Sequence, residues 1–237
     1  MPHIEQTGRV VVVTGAFGVL GSAVARAFAA AGWRVVLLDL ATSPPAVVSE
    51  EFGEPHFLLG GVDLTDQSAA RKAMASAAMR FGRIDALVNV AGGFLWQALE
   101  NGDADTWDQL YSMNLRTAVV SCIAALPALR EQASGRIINV GARAALHATA
   151  GMGAYAASKS GVQRLTEALA EELRDQSITV NAILPGIIDT PRNRTDMPDA
   201  DFTRWVSPEA IAAVIVFLAS DAAAAVTGAA IPVTGRG

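Results

Sequence analysis

One cysteine, Cys122, among 237 residues rules out an internal disulfide framework, and three scattered histidines make no metal-ligand cluster. Charge is scarce too. Charged side chains make up 17% of the chain, the net charge is −5 and no basic run occurs, which argues against a nucleic-acid partner. The opening MPHIEQTGRV lacks the apolar core of a signal peptide. The apolar stretch AIAAVIVFLA, from Ala210, is too short to span a bilayer. These absences leave an expectation of a cytoplasmic protein in a reducing compartment, with no metal and no membrane.

What is present is apolar: 51% of residues, a composition suited to deep burial, at a length that fits one α/β domain. Continuous apolar runs rich in β-branched residues occur at Arg9–Thr14, Arg34–Asp39, His56–Leu59, Ala86–Asn89, Arg136–Val140, Thr179–Leu184 and Ala229–Val233. Helical patterns such as GSAVARAFAAAGW and DQSAARKAMASAAMRFG lie between them. Runs that are apolar without alternation suit parallel strands covered on both faces. The alternation predicts a single-domain, Rossmann-type, doubly wound α/β fold with helices on both faces. Residues of about 186–207 lack clear periodicity and are expected to form a substrate loop. TAVVSCIAALPAL, from Thr117, is apolar nearly all round, which predicts a buried helix covered most simply by a second subunit, although a long insertion packing over it would serve as well.

Three local patterns carry chemistry. In TGAFGVLG, residues Thr14, Gly15, Gly18 and Gly21 punctuate a strand-to-helix junction, with Phe17, Val19 and Leu20 filling the turn. Glycines there let a pyrophosphate approach exposed N–H groups at a helix start. Asp39, eighteen residues past Gly21, ends the second strand and is followed by Leu40. A carboxylate at that point accepts from ribose hydroxyls and repels a 2′-phosphate, so NAD(H) is expected over NADP(H). Asp63 in GVDL, beside Leu64, either reaches the adenine or belongs to a helix N-cap region ahead of Thr65 and Asp66. Asn89, Ala91 and Gly92 close the fourth strand, at the carboxyl ends where such folds bind ligands. Finally, Tyr155 and Lys159 share a helix face at i and i+4, a spacing at which an ammonium under the phenol lowers its pKa.

Taken in order, TGAFGVLG, Asp39, VDL, NVAGG, Asn114 in SMNL, YAASK and PGIIDT resemble the short-chain dehydrogenase/reductase family over essentially the whole chain. The resemblance implies that Tyr155 is the general acid/base, that Lys159 holds the nicotinamide ribose, and that Asn114 keeps a water in a proton relay. Pro185, Gly186, Ile188 and Thr190 would hold the nicotinamide end. Two departures stand out. The family's middle glycine falls where this chain has Val19, and its substrate-orienting serine, thirteen residues before the tyrosine, is Ala142. A methyl group donates no hydrogen bond to a substrate carbonyl. The GxxGxxG spacing, VAGG, GARAAL followed by GMGAY, and DTPRNRTDMPDADFTRW are most similar to dihydropteridine reductase, a branch that also has alanine there. That likeness implies NADH-dependent reduction of a quinonoid dihydropterin. Alternatives are an ordinary ketone or alcohol, with Thr149 or a water replacing the serine, and an NAD(H) sensor without turnover. Trp96, Arg192 and Trp205 are candidate substrate contacts: an aromatic ring stacks on a flat heterocycle, and an arginine meets its carbonyl. The loop charges equally suit a solvated segment whose ions pair with one another.

Overall fold

In a computed structural model, residues 8–236 are described. The reading of the opening segment falls largely on residues 1–7, outside them. The strands are β1 (Val10–Thr14), β2 (Arg34–Leu38), β3 (Phe57–Leu59), β4 (Ala86–Asn89), β5 (Gly135–Val140), β6 (Ile178–Pro185) and β7 (Ala230–Val233). The helices are α1 (Val19–Ala30), α2 (Ala46–Glu51), α3 (Gln67–Phe81), α4 (Ala104–Leu110), α5 (Thr117–Arg130), α6 (Gly153–Glu172), α7 (Pro191–Asp196) and α8 (Pro208–Ala219). All seven strands pair in parallel in the order β3-β2-β1-β4-β5-β6-β7, the expected doubly wound sheet.

Unbroken apolar runs work as strands here because both sheet faces are covered. Val10 and Val12 point into one core with Met74 of α3, Leu129 of α5 and Leu169 of α6. Val11 and Val13 point into the other, with Phe28 of α1 and Ile215 of α8. Side-chain alternation therefore supplies two cores from one strand, and each buried valine contributes about 1.5–3 kcal/mol.

Helix boundaries follow local chemistry. Asp66 caps α3 by accepting from Ser68 N and Ala69 N, and Gly82 ends it at φ 76°. Ser207 caps α8, with Pro208 in its first turn. Between α4 and α5 the backbone widens into a π turn, Tyr111–Arg116, making one helical run of 27 residues. Its length and composition would suffice to cross a membrane. Eight side chains of α5 are nonetheless buried in the protein. Ile123 and Pro127 are exposed on its outer side, the face for which a covering subunit is expected. Cys122 is a core residue whose thiol is pushed up to about 12 by burial.

Candidate active site

The turn after β1 is built by close approach. Thr14 Oγ1 accepts from the N–H groups of Val90 and Ala91, both at 3.1 Å, which ties this turn to the end of β4. Gly15 has φ +61°, and a Cβ on it would lie 2.8 Å from Ala91 Cα. A Cβ on Gly21 would fall 2.1 Å from Gly15 O. Only glycine fits at either place. Gly18 is the N-cap of α1 and offers no side-chain cap, so the first N–H groups of α1 stay open to an anion. The shifted middle glycine therefore still leaves a bare helix start. Val19 is half-exposed beside it and Leu20 partly buried.

Asp39 closes this cradle from the β2 side. One carboxylate oxygen accepts from Phe17 N at 2.9 Å and the other from Ala41 N at 3.0 Å. Each oxygen has a further lone pair, so the group can hold the turn and still accept from a diol. Leu40 is exposed next to it. The glycine turn, the uncapped helix start and this acceptor fit the pyrophosphate and adenosine ribose of a dinucleotide. Three expected contacts are corrected. Phe17 reaches the cradle only through its N–H, because its ring is buried in the core with Phe28. Leu64 is buried against Val36 and Leu38, leaving only its backbone for a nucleotide. Asn89 turns inward: its Nδ2 donates to Asn139 Oδ1 at 2.8 Å, and Asn139 donates to Thr166 Oγ1 at 2.9 Å. The Asn89 Nδ2 thus has a partner on the neighbouring strand, while its buried Oδ1 has none among the described residues. Asp63 Oδ1 accepts from Thr65 N and Thr65 Oγ1, which holds its carboxyl below the usual carboxylate range. The N-cap proper is Asp66.

At the tips of β4 and β5 the side chains of Asn114 and Lys159 come together, with Tyr155 one helical turn before Lys159 on α6. Gly92 is the gap that lets them in: a Cβ there would stand 2.5 Å from Asn114 Oδ1 and 3.3 Å from Lys159 Nζ. Asn114 sits in the π turn, a distortion common at functional sites. Its amide accepts from Gly93 N at 2.8 Å and donates to Gly93 O and Ser158 Oγ at 3.1 and 3.0 Å. Ser158 in turn donates to Tyr155 O at 2.7 Å. The sequence reading missed Ser158, although its place between Tyr155 and Lys159 offered a signal. The Asn114 side chain thus braces the β4 loop against α6.

Lys159 Nζ is buried and donates to Val140 O at 2.9 Å. Burial lowers its pKa to about 8 and pushes the Tyr155 phenol up to about 12. This corrects the expectation that the lysine lowers the phenol's pKa in this state. Desolvation by burial is the cause of both shifts, and the ammonium is committed to a backbone carbonyl.

The substrate side is apolar. Ala142, only 6% exposed, follows β5 where a hydroxyl would be expected. Phe94 meets Tyr155 edge-to-face, with ring centroids 5.0 Å apart and planes at 88°. Trp96 donates from Nε1 to Ala150 O at 3.1 Å and lies on Gly151, whose missing Cβ would fall 2.0 Å from the indole. Phe94 was not anticipated from sequence. The loop after β6 is less of a loop than expected. Thr190 Oγ1 accepts from Asn193 N to cap α7, Asn193 Nδ2 donates to Ile188 O, and Ile188 forms a parallel bridge with Val206. Pro185 ends β6, and Gly186 N donates to Val233 O. Arg194 pairs with Asp189 through two bonds and lies over Phe202, which packs on Trp205 at 4.7 Å. Arg192 is corrected: its side chain is 85% exposed and faces Asp196 at 3.5 Å, a solvated i, i+4 pair.

Comparison with known proteins agrees with this geometry. A family model described as short chain dehydrogenase matches residues 9–201. The short chain dehydrogenase ple7 of Rhodocybe pseudopiperita is 36% identical, over 95% of this chain and 96% of the relative. The 3-oxoacyl-[acyl-carrier-protein] reductase FabG of Thermotoga maritima is 33% identical, over 96% and 97%. A probable galactose dehydrogenase of Rhizobium meliloti is 34% identical, over 99% and 96%. None of these three is named as a dihydropteridine reductase.

Proposed function

Since the chain belongs to the short-chain dehydrogenase/reductase family and is an oxidoreductase of that type, we propose that it uses NADH to reduce a conjugated C=N or C=O substrate of the quinonoid dihydropterin kind. One observation carries this reading. The position that would supply a second hydrogen-bond donor holds the buried methyl of Ala142. Reduction of a simple ketone builds charge on one oxygen, which two donors stabilise better than one. A conjugated imine or quinonoid ring spreads that charge and takes its proton on nitrogen, so a single acid suffices.

NADH supplies the hydride when bound. Gly15, Gly18, Gly21 and the start of α1 would hold its pyrophosphate, Asp39 its adenosine ribose, and Lys159 the nicotinamide ribose. Preference for NADH rests on the carboxylate of Asp39, which accepts from a diol and repels a phosphate. Tyr155 donates its phenolic proton to the substrate. A phenol whose burial holds it at about 12 keeps that proton at neutral pH until the acceptor becomes basic. Lys159, anchored on Val140 O, and Asn114, braced on Gly93 and Ser158, fix the walls around that phenol.

A second reading, an alcohol or ketone dehydrogenase, is favoured by the names of the relatives, D-threitol dehydrogenase of Mycolicibacterium smegmatis among them. The two are separated by NADH oxidation with chemically generated quinonoid dihydropterin beside a panel of ketones. Pterin turnover that Tyr155→Phe lowers by about 10²–10⁴-fold supports the proposal. Turnover with ketones alone rejects it. A homodimer or homotetramer belongs to the same proposal, supported by Ile123 and the 86% exposed Met79 on the outer side, and light scattering tests it.

A further inference from the structure

Phe94 stands where a solvent-facing phenylalanine has no need to be held still, and yet it is held on both sides. On one side Gly93 is fixed to Asn114 through two hydrogen bonds. On the other, Trp96 Nε1 donates to Ala150 O and Gln97 N to Gly151 O at 2.9 Å, so the loop is pinned to the turn that precedes α6. Phe94 is half-exposed between these anchors, with Tyr155 perpendicular to it at 5.0 Å. A ring that meets the phenol edge-to-face has a preset orientation, and its solvent-facing side remains open for stacking. Trp96, two residues further along the same loop, is also largely exposed. Rotamer and loop entropy have thus been given up before any substrate arrives, which is the mark of a preorganised binding surface.

We propose that Phe94 is a substrate-selecting residue, a preset stacking platform that places a flat conjugated ring beside the hydroxyl of Tyr155 and disfavours puckered, saturated substrates. This deepens the reading under Proposed function, on which it rests for the identity of the proton donor. The aromatic ring here does the orienting that a hydroxyl at position 142 would otherwise share. A hydrogen bond fixes one atom of a substrate, whereas a stack fixes a plane. A plane is what a heterocycle needs if one of its faces is to meet the hydride.

The test uses binding as well as turnover, so that it is independent of which substrate is reduced. Fully oxidised pterin, a flat ring, is titrated by calorimetry into the NAD-loaded wild-type protein and into Phe94→Leu, Phe94→Met and Phe94→Trp. NADH affinity and thermal unfolding serve as checks that the fold survives. Cyclohexanone, a puckered ring, is the control ligand. Pterin binding should weaken about three- to tenfold in the Leu and Met variants and return to within about twofold in the Trp variant. NADH and cyclohexanone affinities should stay within about twofold. Equal weakening for pterin and cyclohexanone would assign Phe94 a merely structural role and overturn the proposal. So would pterin binding that ignores the substitution, or a wild-type protein that does not bind pterin. Should pterin binding depend on Phe94 while quinonoid dihydropterin is not turned over, the platform stands and the proposed reaction falls.

Discussion

Lys159 Nζ donates to the carbonyl of Val140 at 2.9 Å, so the buried ammonium is moored to the end of β5. The i, i+4 spacing on α6 places Lys159 and Tyr155 on one face, but the third point of the arrangement comes from the sheet. Because desolvation acts on both groups, it drives their protonation in opposite senses, the lysine down to about 8 and the phenol up to about 12.

That pair makes stability depend on alkaline pH in a defined way. Below about pH 8 both the folded and the unfolded lysine carry a proton, and the burial penalty is constant. From about 8 up to the ordinary value of 10.5, the unfolded chain keeps a proton that the folded chain has released, so stability rises with pH. The phenol works the other way, but only above its ordinary value of 10.0. Chemical denaturation of wild type and Lys159→Met at pH 7 and pH 10 should show the difference moving in favour of wild type at the higher pH. The movement should be roughly 2–3 kcal/mol. A difference that does not change with pH would mean the lysine is solvated.

Ala142→Ser restores the missing hydroxyl. With cyclic ketones, kcat/KM should rise about tenfold or more, because the new donor acts where charge develops. With quinonoid dihydropterin it should change less than about threefold. The hydroxyl lands in a buried position, so a loss of about 1–3 kcal/mol of stability is expected if it finds no partner. Steady-state kinetics on both substrate classes, beside thermal unfolding, checks all three statements. A parallel rise for both classes would show that the site treats them alike.

How much of this was legible beforehand divides along physical lines. The sheet was readable because burial on both faces leaves an apolar run, and the seven runs fall within a residue or two of the seven strands. Lys159 and Asn114 meet at Gly92, and Tyr155 precedes Lys159 by one turn of α6, since helix periodicity and strand ends fix their places. What failed was the direction of side chains whose residue type gives no hint. Asn89 could face the groove or the core, and only the neighbours Asn139 and Thr166, 50 and 77 residues away in sequence, decide it. The same holds for the loop after β6, where Arg194, Asp189 and Phe202 satisfy one another and give shape to a stretch without periodicity. Phe94 escaped notice because its significance is a ring contact across 61 residues, invisible to any local pattern.

Asp39 braces the glycine turn and, in the proposed function, selects the nucleotide; Asp39→Asn separates the two roles. The carboxylate accepts from Phe17 N and from Ala41 N, while an amide keeps one acceptor and presents a donor to the other N–H. Losing one such charge-assisted bond should cost about 1.5–3 kcal/mol of stability. The same change removes the negative charge that would repel a 2′-phosphate, so the ratio of NADPH to NADH affinity should move toward unity. Titrating both nucleotides into each protein measures the ratio, and calorimetric unfolding measures the cost. An intact ratio beside a lowered Tm would leave Asp39 a brace for the glycine turn and nothing more.

Gly151 supports the wall on which the substrate side depends. It sits at φ +74°, where a side chain costs about 1–2 kcal/mol, and the Cβ of an alanine would stand 2.0 Å from the indole of Trp96. Since the indole also donates to the neighbouring Ala150 O, it has little freedom to yield without losing that bond. Gly151→Ala should therefore release Trp96, lower stability by about 2–4 kcal/mol and alter indole emission. The chain has four tryptophans, so the change in emission is assigned by repeating it in a Trp96→Phe background, where it should vanish. Because Gln97 N rests on Gly151 O, the same substitution loosens the loop that carries Phe94. KM for a flat substrate should then rise while the affinity for NADH, held by the distant turn after β1, stays unchanged. Were NADH affinity to fall in step, the two halves of the cleft would be mechanically continuous.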